Sequence, residues 1–263
     1  MNCTVIRYPL GIVLEERESS SEPYSAVSDG YEIIHIKKGS FTLTAEGSDY
    51  RLSEGAVAAV AQSTYRKLEA AEPAGSFLLL RFPSAALLSE AHPFLEKIAP
   101  PSGCTAFPSG QCEHNFSDTL ARLDGAATLP EAECSLLARM ALTELILRLS
   151  LLTEESALTA EDDLIADVVR YLNGNVTQDI SLDSLSRRFF VSKFYLCRAF
   201  KRRQGISIHG YVTSKRIAYA KQLIAKGESA STVAYKVGYG DYSAFYRAYL
   251  KQTGTSPTGS KQI

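Results

Sequence analysis

One pattern is written twice between Ser181 and Gly254, and it restricts the fold of that stretch more than any other feature of the chain. The first copy runs Leu185-Ser-Arg-Arg-Phe-Phe-Val-Ser192-Lys-Phe-Tyr-Leu-Cys-Arg198-Ala-Phe200, and the second runs Val233-Ala-Tyr-Lys-Val-Gly-Tyr-Gly-Asp241-Tyr-Ser-Ala-Phe-Tyr-Arg247-Ala-Tyr249. Arg198 aligns with Arg247, Ala199 with Ala248, Phe200 with Tyr249 and Gly205 with Gly254, each 49 residues apart, while Leu185 and Val233 are 48 apart. The second copy therefore carries one more turn residue. Apolar positions recur with helical spacing at Leu196, Ala199 and Phe200, and again at Phe245, Ala248 and Tyr249. Ser192 and Asp241 stand where a second helix must begin, because either side chain accepts a hydrogen bond from a free N–H of the first turn. Gly238 and Gly240 permit the positive φ that tight turns use. Phe190 is a departure: a bulky residue at that point predicts a first turn without positive φ.

Helix, tight turn, helix with a basic or polar outer face is the helix-turn-helix pattern, whose second helix enters the major groove. An apolar-periodic helix (Ile208, Tyr211, Val212, Ile217, Ala220, Leu223, Ile224) joins the two copies. Together with Arg216-Ile217, Ala220 to Ile224, Val233 to Tyr239, Phe245 to Tyr249 and Gly254-Thr-Ser-Pro257, this resembles the AraC/XylS family of transcription regulators over roughly the last hundred residues. The resemblance implies duplex DNA as a partner. It places base contacts at Lys193, Phe194, Cys197 and Arg198, and at Tyr242, Ser243, Tyr246 and Arg247, with Lys201 at the end of the first reading helix. Arginine can bond guanine bidentately, and phosphate contact is the alternative for Arg198 and Arg247. Lys201, Arg202, Arg203, Lys215, Arg216 and Lys221 are expected to touch phosphate or water, with an internal bridge as the other role open to Arg216.

Charge divides in the same way as pattern. The 263-residue chain carries −1 overall, but residues 161–263 carry +8 and residues 1–160 carry −9. A basic module joined to an acidic one fits a polyanion-binding domain attached to something that avoids DNA. The length suggests two domains. Five cysteines (Cys3, Cys104, Cys112, Cys134, Cys197) at irregular spacing point to reduced thiols rather than a disulfide framework. Neither a secretory leader nor a membrane-length apolar run is read, so a cytoplasmic location is expected.

Residues 1–100 read as short strands. Tyr31 to Lys37 and Phe41 to Ala45 flank Lys38-Gly39 like a hairpin, and Phe41, Leu43 and Ala45 form one apolar face. Gly47-Ser48-Asp49 marks a turn, and Ala56 to Val60 and Phe77 to Phe82 continue the series. The order resembles the cupin-type sensor barrel found ahead of such DNA-binding modules, implying a small-molecule effector, a sugar or another metabolite. Tyr24, Tyr31, His35 and Arg81 are the candidate ligand contacts, each bringing a polar tip to an apolar strand; ordinary half-burial is the alternative for each. The paired histidines of metal-dependent cupin enzymes are absent: Ile36 and Lys37 follow His35, and the next histidine is His92. No catalytic residue, metal or cofactor is expected, and a barrel enzyme is the less favoured reading.

Residues 101–152 read as a connection and a helical region. Cys104, Cys112 and His114 lie close but lack zinc-ligand spacing. Phe116 to Leu123 predicts a short helix, and Pro130-Glu131 opens a longer one. That helix is apolar on several sides (Leu136, Leu137, Met140, Leu145, Ile146, Leu149), which fits packing on its own barrel, a homodimer seam, or both. Residues 153–160 are the expected linker and 161–263 the basic domain. The whole is thus an α+β chain: a small antiparallel β-barrel with following helices, then an all-α tandem helix-turn-helix domain. The resemblance implies a homodimer, with RNA polymerase as a further partner. A ligand-independent activator whose barrel serves only dimerisation is the principal rival.

Overall fold

The computed structural model describes residues 3–18, 23–71, 75–100, 103–110, 113–152 and 164–258, with backbone only for 113–115. It forms two units, Met1–Glu161 and Asp162–Ile263. The expected linker, Cys112 and the His114 side chain lie outside the described residues.

The first unit contains strands β1 (Cys3–Arg7), β2 (Val13–Glu18), β3 (Tyr24–Val27), β4 (Tyr31–Lys38), β5 (Phe41–Ala45), β6 (Ser48–Leu52), β7 (Val57–Val60), β8 (Tyr65–Ala70) and β9 (Ser76–Phe82). Helix α1 (His92–Ile98), strand β10 (Cys104–Phe107) and helices α2 (Glu113–Ala126) and α3 (Glu131–Ser150) follow. One antiparallel sheet has the order β1-β2-β9-β4-β7-β10, the other β3-β8-β5-β6. No pairing joins them among the described residues, so the expected barrel is an open two-sheet sandwich. The expected β4–β5 hairpin is also absent: β4 pairs with β7 and β9, and β5 with β6 and β8. At Gly39 (φ 81°) the chain instead crosses from one sheet to the other. The tight hairpin is β5–β6, where Ala45 faces Ser48 and the two loop residues Glu46 and Gly47 have φ of 49° and 89°. Positive φ at both loop positions matches the right-handed twist of the strands.

Two apolar layers result. Ile34, Ile36, Leu43, Ala58, Val60, Leu68 and Leu79 fill the space between the sheets. Ile33, Val57, Ala59, Leu78, Leu80 and Phe82 face the other way, onto Phe116, Leu142, Leu145, Ile146 and Leu149 of the helices. The central strands of the six-stranded sheet are covered on both sides, which is why Ala56 to Val60 and Phe77 to Leu80 are unbroken apolar runs, whereas edge strand β1 is exposed throughout. Each fully buried Leu or Ile here is worth about 1.5–3 kcal/mol.

The second unit is all helix: α4 (Leu164–Gly174), α5 (Leu182–Arg188), α6 (Lys193–Gln204), α7 (Ile208–Ala225), α8 (Ala230–Lys236) and α9 (Tyr242–Thr253). Sequence repetition becomes repetition of caps. Ser181 accepts from the Ser184 N–H at 3.1 Å, and Ser229 from Thr232 at 3.2 Å. Ser192 accepts from Tyr195 at 3.2 Å, and Asp241 from Ala244 at 2.8 Å. Gly205 and Gly254 close α6 and α9 in left-handed conformations. Each of the four N-terminal caps contributes about 1 kcal/mol.

The first turn corrects the expectation made for it. Phe190 has φ 55°, in the left-handed region, as does Gly238 at 91°. The reason is a shared hydrogen bond: Val191 N–H donates to the Ser186 carbonyl at 3.1 Å, and Tyr239 N–H to the Ala234 carbonyl at 3.0 Å. This six-to-one closure of a helix end requires a left-handed residue inside it, whichever side chain is present.

Candidate nucleic-acid interface

Leu196, Ala199 and Phe200 turn α6 inward, and Phe245 and Tyr249 do the same for α9. Phe200 meets Tyr211 of α7 edge-on at 5.6 Å, and Phe245 meets Tyr249 at 5.6 Å. With those faces buried, helical periodicity leaves Lys193, Phe194, Arg198 and Lys201 exposed on α6, and Ser243 and Arg247 exposed on α9. Cys197, Tyr242 and Tyr246 are half-buried beside them. The nine sequence candidates thus fall on two equivalent helix faces.

The two faces differ in chemistry. On α6 the Arg198 guanidinium lies 4.7 Å from the Phe194 ring, and Phe194 is 71 % exposed. Lys193 pairs with Asp183 at 2.5 Å, so its charge is partly spent inside the protein. On α9, Tyr242 packs against Phe245 and Tyr246 at 6.0 and 6.2 Å, fixing the aromatic wall beside Arg247. Between the faces lies a cleft of about 750 Å³, lined by Leu182, Cys197, Ile208, His209, Arg247 and Lys251 among others. His209 and Lys251 were not singled out from sequence. Lys251 could have been: it is one turn beyond Arg247 and aligns with Arg202.

Two expected phosphate contacts have other work. Lys215 is buried, its Nζ 5.8 Å from the Tyr211 ring. Arg216 donates from Nε to the Val176 carbonyl at 2.8 Å and from Nη2 to the Gln178 carbonyl at 2.7 Å. It ties the segment after α4 to α7, a carbonyl bridge in place of the salt bridge weighed from sequence.

In the first unit the four ligand candidates separate. Tyr31 packs into the layer under the helices, and His35 lies 4.7 Å from the Phe116 ring on the same side. Strand alternation puts both on the face opposite Glu32, Ile34 and Ile36. Tyr24 and Arg81 point between the sheets. There Arg81 Nε donates to Glu32 Oε1 at 3.1 Å, and Arg81 Nη2 donates to the Tyr24 hydroxyl at 3.3 Å. Among the described residues, no group of three or more His, Cys, Asp or Glu is placed to hold a metal ion.

Comparison with known proteins bears chiefly on the repeated segment. Residues 185–262 match the family of helix-turn-helix domains. The matched residues all fall in the second unit, from α5 onward. The uncharacterized HTH-type transcriptional regulator YdiP of Escherichia coli (strain K12) is 33 % identical over 105 residues, 40 % of this chain and 35 % of that protein. The chain thus spans about a third of the length of the first curated relatives it matches. The HTH-type transcriptional activator RhaS of Yersinia pestis (strain Pestoides F) is 24 % identical over 255 residues, 94 % of this chain and 92 % of that protein. The crystal structure of ToxT from Vibrio cholerae O395 covers 94 % of this chain and 96 % of its own at 12 % identity, with a TM-score of 0.40. Among the described residues, no helix is long and apolar enough to cross a membrane.

Proposed function

We propose that this protein is a ligand-responsive transcription regulator, not an enzyme: its second unit binds an operator through α6 and α9, and its first unit senses a small molecule. The observation that carries this reading is the pair of equivalent helix faces, each with a capped N-terminus and an exposed arginine one to two turns inside it. A reading helix contacts base edges near its N-terminus. Helix α7 supplies the spacer: its 18 residues span about 27 Å, on the order of the 34 Å between successive major-groove faces. Arg198 and Arg247 read bases, each good bidentate pair being worth about 1–3 kcal/mol of discrimination. Lys201 and Lys251 touch phosphate.

The reading also includes a homodimer. Leu136, Met140, Leu147 and Leu151 are large apolar side chains left exposed along α3 and just past its end. They stand four, seven and four residues apart, one or two helical turns each, which makes one stripe. Leu145, Ile146 and Leu149, which the sequence also offered for a seam, are fully buried in their own unit and are not part of it.

Fluorescence anisotropy of the full chain on labelled duplexes at about 50 mM salt, the range where phosphate contacts are strong, tests the core of this proposal. Binding that falls steeply with salt, and falls further in Arg198→Ala/Arg247→Ala, is expected. No binding to any duplex overturns it. Operator binding with no response to any small molecule favours the rival in which the first unit serves dimerisation alone.

A further inference from the structure

Six side chains meet between the sheets of the first unit: Glu15 and Arg17 from β2, Tyr24 from β3, Glu32 from β4, Arg66 from β8 and Arg81 from β9. Arg66 and Glu32 are each 1 % exposed and form a forked pair, Nε to Oε2 and Nη2 to Oε1. Arg66 Nη2 also donates to the Tyr24 hydroxyl at 3.2 Å, the oxygen that accepts from Arg81. Arg17 donates from Nε and Nη2 to Glu15 Oε2 at 2.9 and 2.6 Å, and Arg81 Nη2 lies 3.2 Å from Glu15 Oε1. Both Arg17 and Arg66 sit within cation–π range of the Tyr24 ring, at 4.2 and 4.6 Å.

Two features set this network apart from an ordinary internal bridge. First, three guanidiniums face two carboxylates, so the described groups carry an excess of one positive charge. Burial acts to lower the Arg66 and Arg81 pKa, yet Glu32 and Tyr24 raise both above the ordinary arginine value, so both stay charged. Replacing such a buried network with apolar packing is often neutral or stabilising, so stability alone does not account for it. Second, the network is closed at one end and open at the other. Arg17 and Arg81 keep 26 % and 28 % of their side chains exposed, and among the described residues the Nη1 of neither meets an acceptor. Both remaining donor edges are held on side chains already fixed by Glu15, Glu32 and Tyr24, so little rotamer entropy is lost when they bind.

We infer that this cluster is the effector site and that the effector carries a carboxylate, received by the free edges of Arg17 and Arg81. A carboxylate cancels one charge; a phosphate group carries about −1.5 to −2 at neutral pH and would overshoot. Guanidinium forks match the two oxygens of a carboxylate. A neutral sugar offers hydroxyls but leaves the charge excess standing. This inference rests on reading the first unit as a sensor.

The test is a thermal-shift titration of the full chain at constant ionic strength. The probes are acetate, pyruvate and benzoate, inorganic phosphate, and the neutral sugars glucose and rhamnose, against chloride. A saturable upward shift with at least one carboxylate is expected. It should weaken at least tenfold in Arg81→Gln and in Arg17→Lys. Arg17→Lys keeps the charge and loses the fork, so it separates lost recognition from lost folding, with circular dichroism as the control for the latter. A saturable shift with only a sugar, or only phosphate, overturns the carboxylate assignment while leaving a sensor. No shift with any probe overturns the site, and duplex binding, measured separately, decides the regulator reading independently.

Discussion

Replacing Phe190 with glycine should stabilise the protein, whereas Gly238→Ala, at the equivalent place in the second repeat, should destabilise it. Phe190 is 94 % exposed, so its ring contributes almost no burial. Its φ of 55° costs an L-residue about 1–2 kcal/mol, against about 0.5–1 kcal/mol of chain entropy for introducing glycine. The balance is a gain of roughly 0.5–1 kcal/mol, or about 3–6 °C in the melting of a unit this size. At Gly238 the terms add with the other sign. A Cβ there would stand 2.4 Å from the Thr177 carbonyl oxygen and 2.9 Å from its carbon, both backbone atoms. Left-handed strain of about 1–2 kcal/mol joins an overlap of about 1–3 kcal/mol, less about 0.4–1 kcal/mol from the stiffer unfolded chain. A net loss of about 2–4 kcal/mol follows. Thermal denaturation of the full chain followed at 222 nm, where the helical unit contributes strongly, measures both. If Phe190→Gly lowers the midpoint, the left-handed turn is not strained at Phe190, and the hydrogen-bond account of the two turns fails.

Lys251→Ala should weaken duplex binding alike on all sequences and reduce the slope of log affinity against log salt by about 0.9, one phosphate. Arg247→Ala should instead flatten preference at one or two base pairs, and an equal loss on every sequence would assign it to phosphate. Met140→Glu with Leu147→Glu should halve the sedimenting mass while leaving the circular dichroism spectrum intact; an unchanged mass removes α3 as the seam. Leu145→Glu should unfold the first unit rather than split a dimer, because it buries a charge under the sheet. Native alkylation followed by mass spectrometry should modify exposed Cys3 first and Cys104 last, since Cys104 is buried and burial pushes its thiol pKa up. Early labelling of Cys104 would mean that the β7–β10 edge opens readily.

The second unit was legible because its information is local. Ser192 and Asp241 cap helices that start at the next residue, and Phe200 and Tyr249 are buried by their position on those helices. Each inference needed only residues within about two turns of one another. Where the reading failed, the cause was also local but lay in the backbone. Phe190 looked incompatible with positive φ because propensity weighs the side chain. The hydrogen bond from Val191 to Ser186 fixes the angle first and leaves the side chain in solvent. Lys215 shows the complementary failure. A lysine on an amphipathic helix reads as solvated, but α7 is packed on more than one side, and Lys215 is buried with its Nζ 5.8 Å from the Tyr211 ring.

The first unit depends on pairings that no window of sequence contains. Strand identity and the apolar face of β5 could be read, because alternation is local; β7 and β9 are apolar on both faces and carry no alternation to read. Which strand neighbours which could not: β4 lies between β7 and β9, about 25 and 45 residues downstream of it. The supposed β4–β5 hairpin failed for this reason, and so did the grouping of Tyr31 and His35 with Tyr24 and Arg81. In a strand, neighbours two apart share a face, so His35 is committed to the helix side as soon as Ile34 and Ile36 fill the space between the sheets. Arg81 is committed inward because Leu78, Leu80 and Phe82 all face the helices. Glu15, Arg17, Glu32 and Arg66 then meet Tyr24 and Arg81 only through the register β2-β9-β4 in one sheet and β3-β8 in the other. A one-residue slip of β2 against β9 would turn Glu15 and Arg17 toward the helices and leave Arg81 with Glu32 and Tyr24 only. The charge balance argued for the site is therefore a property of the sheet register, and that register is set by the apolar layers on either side of it.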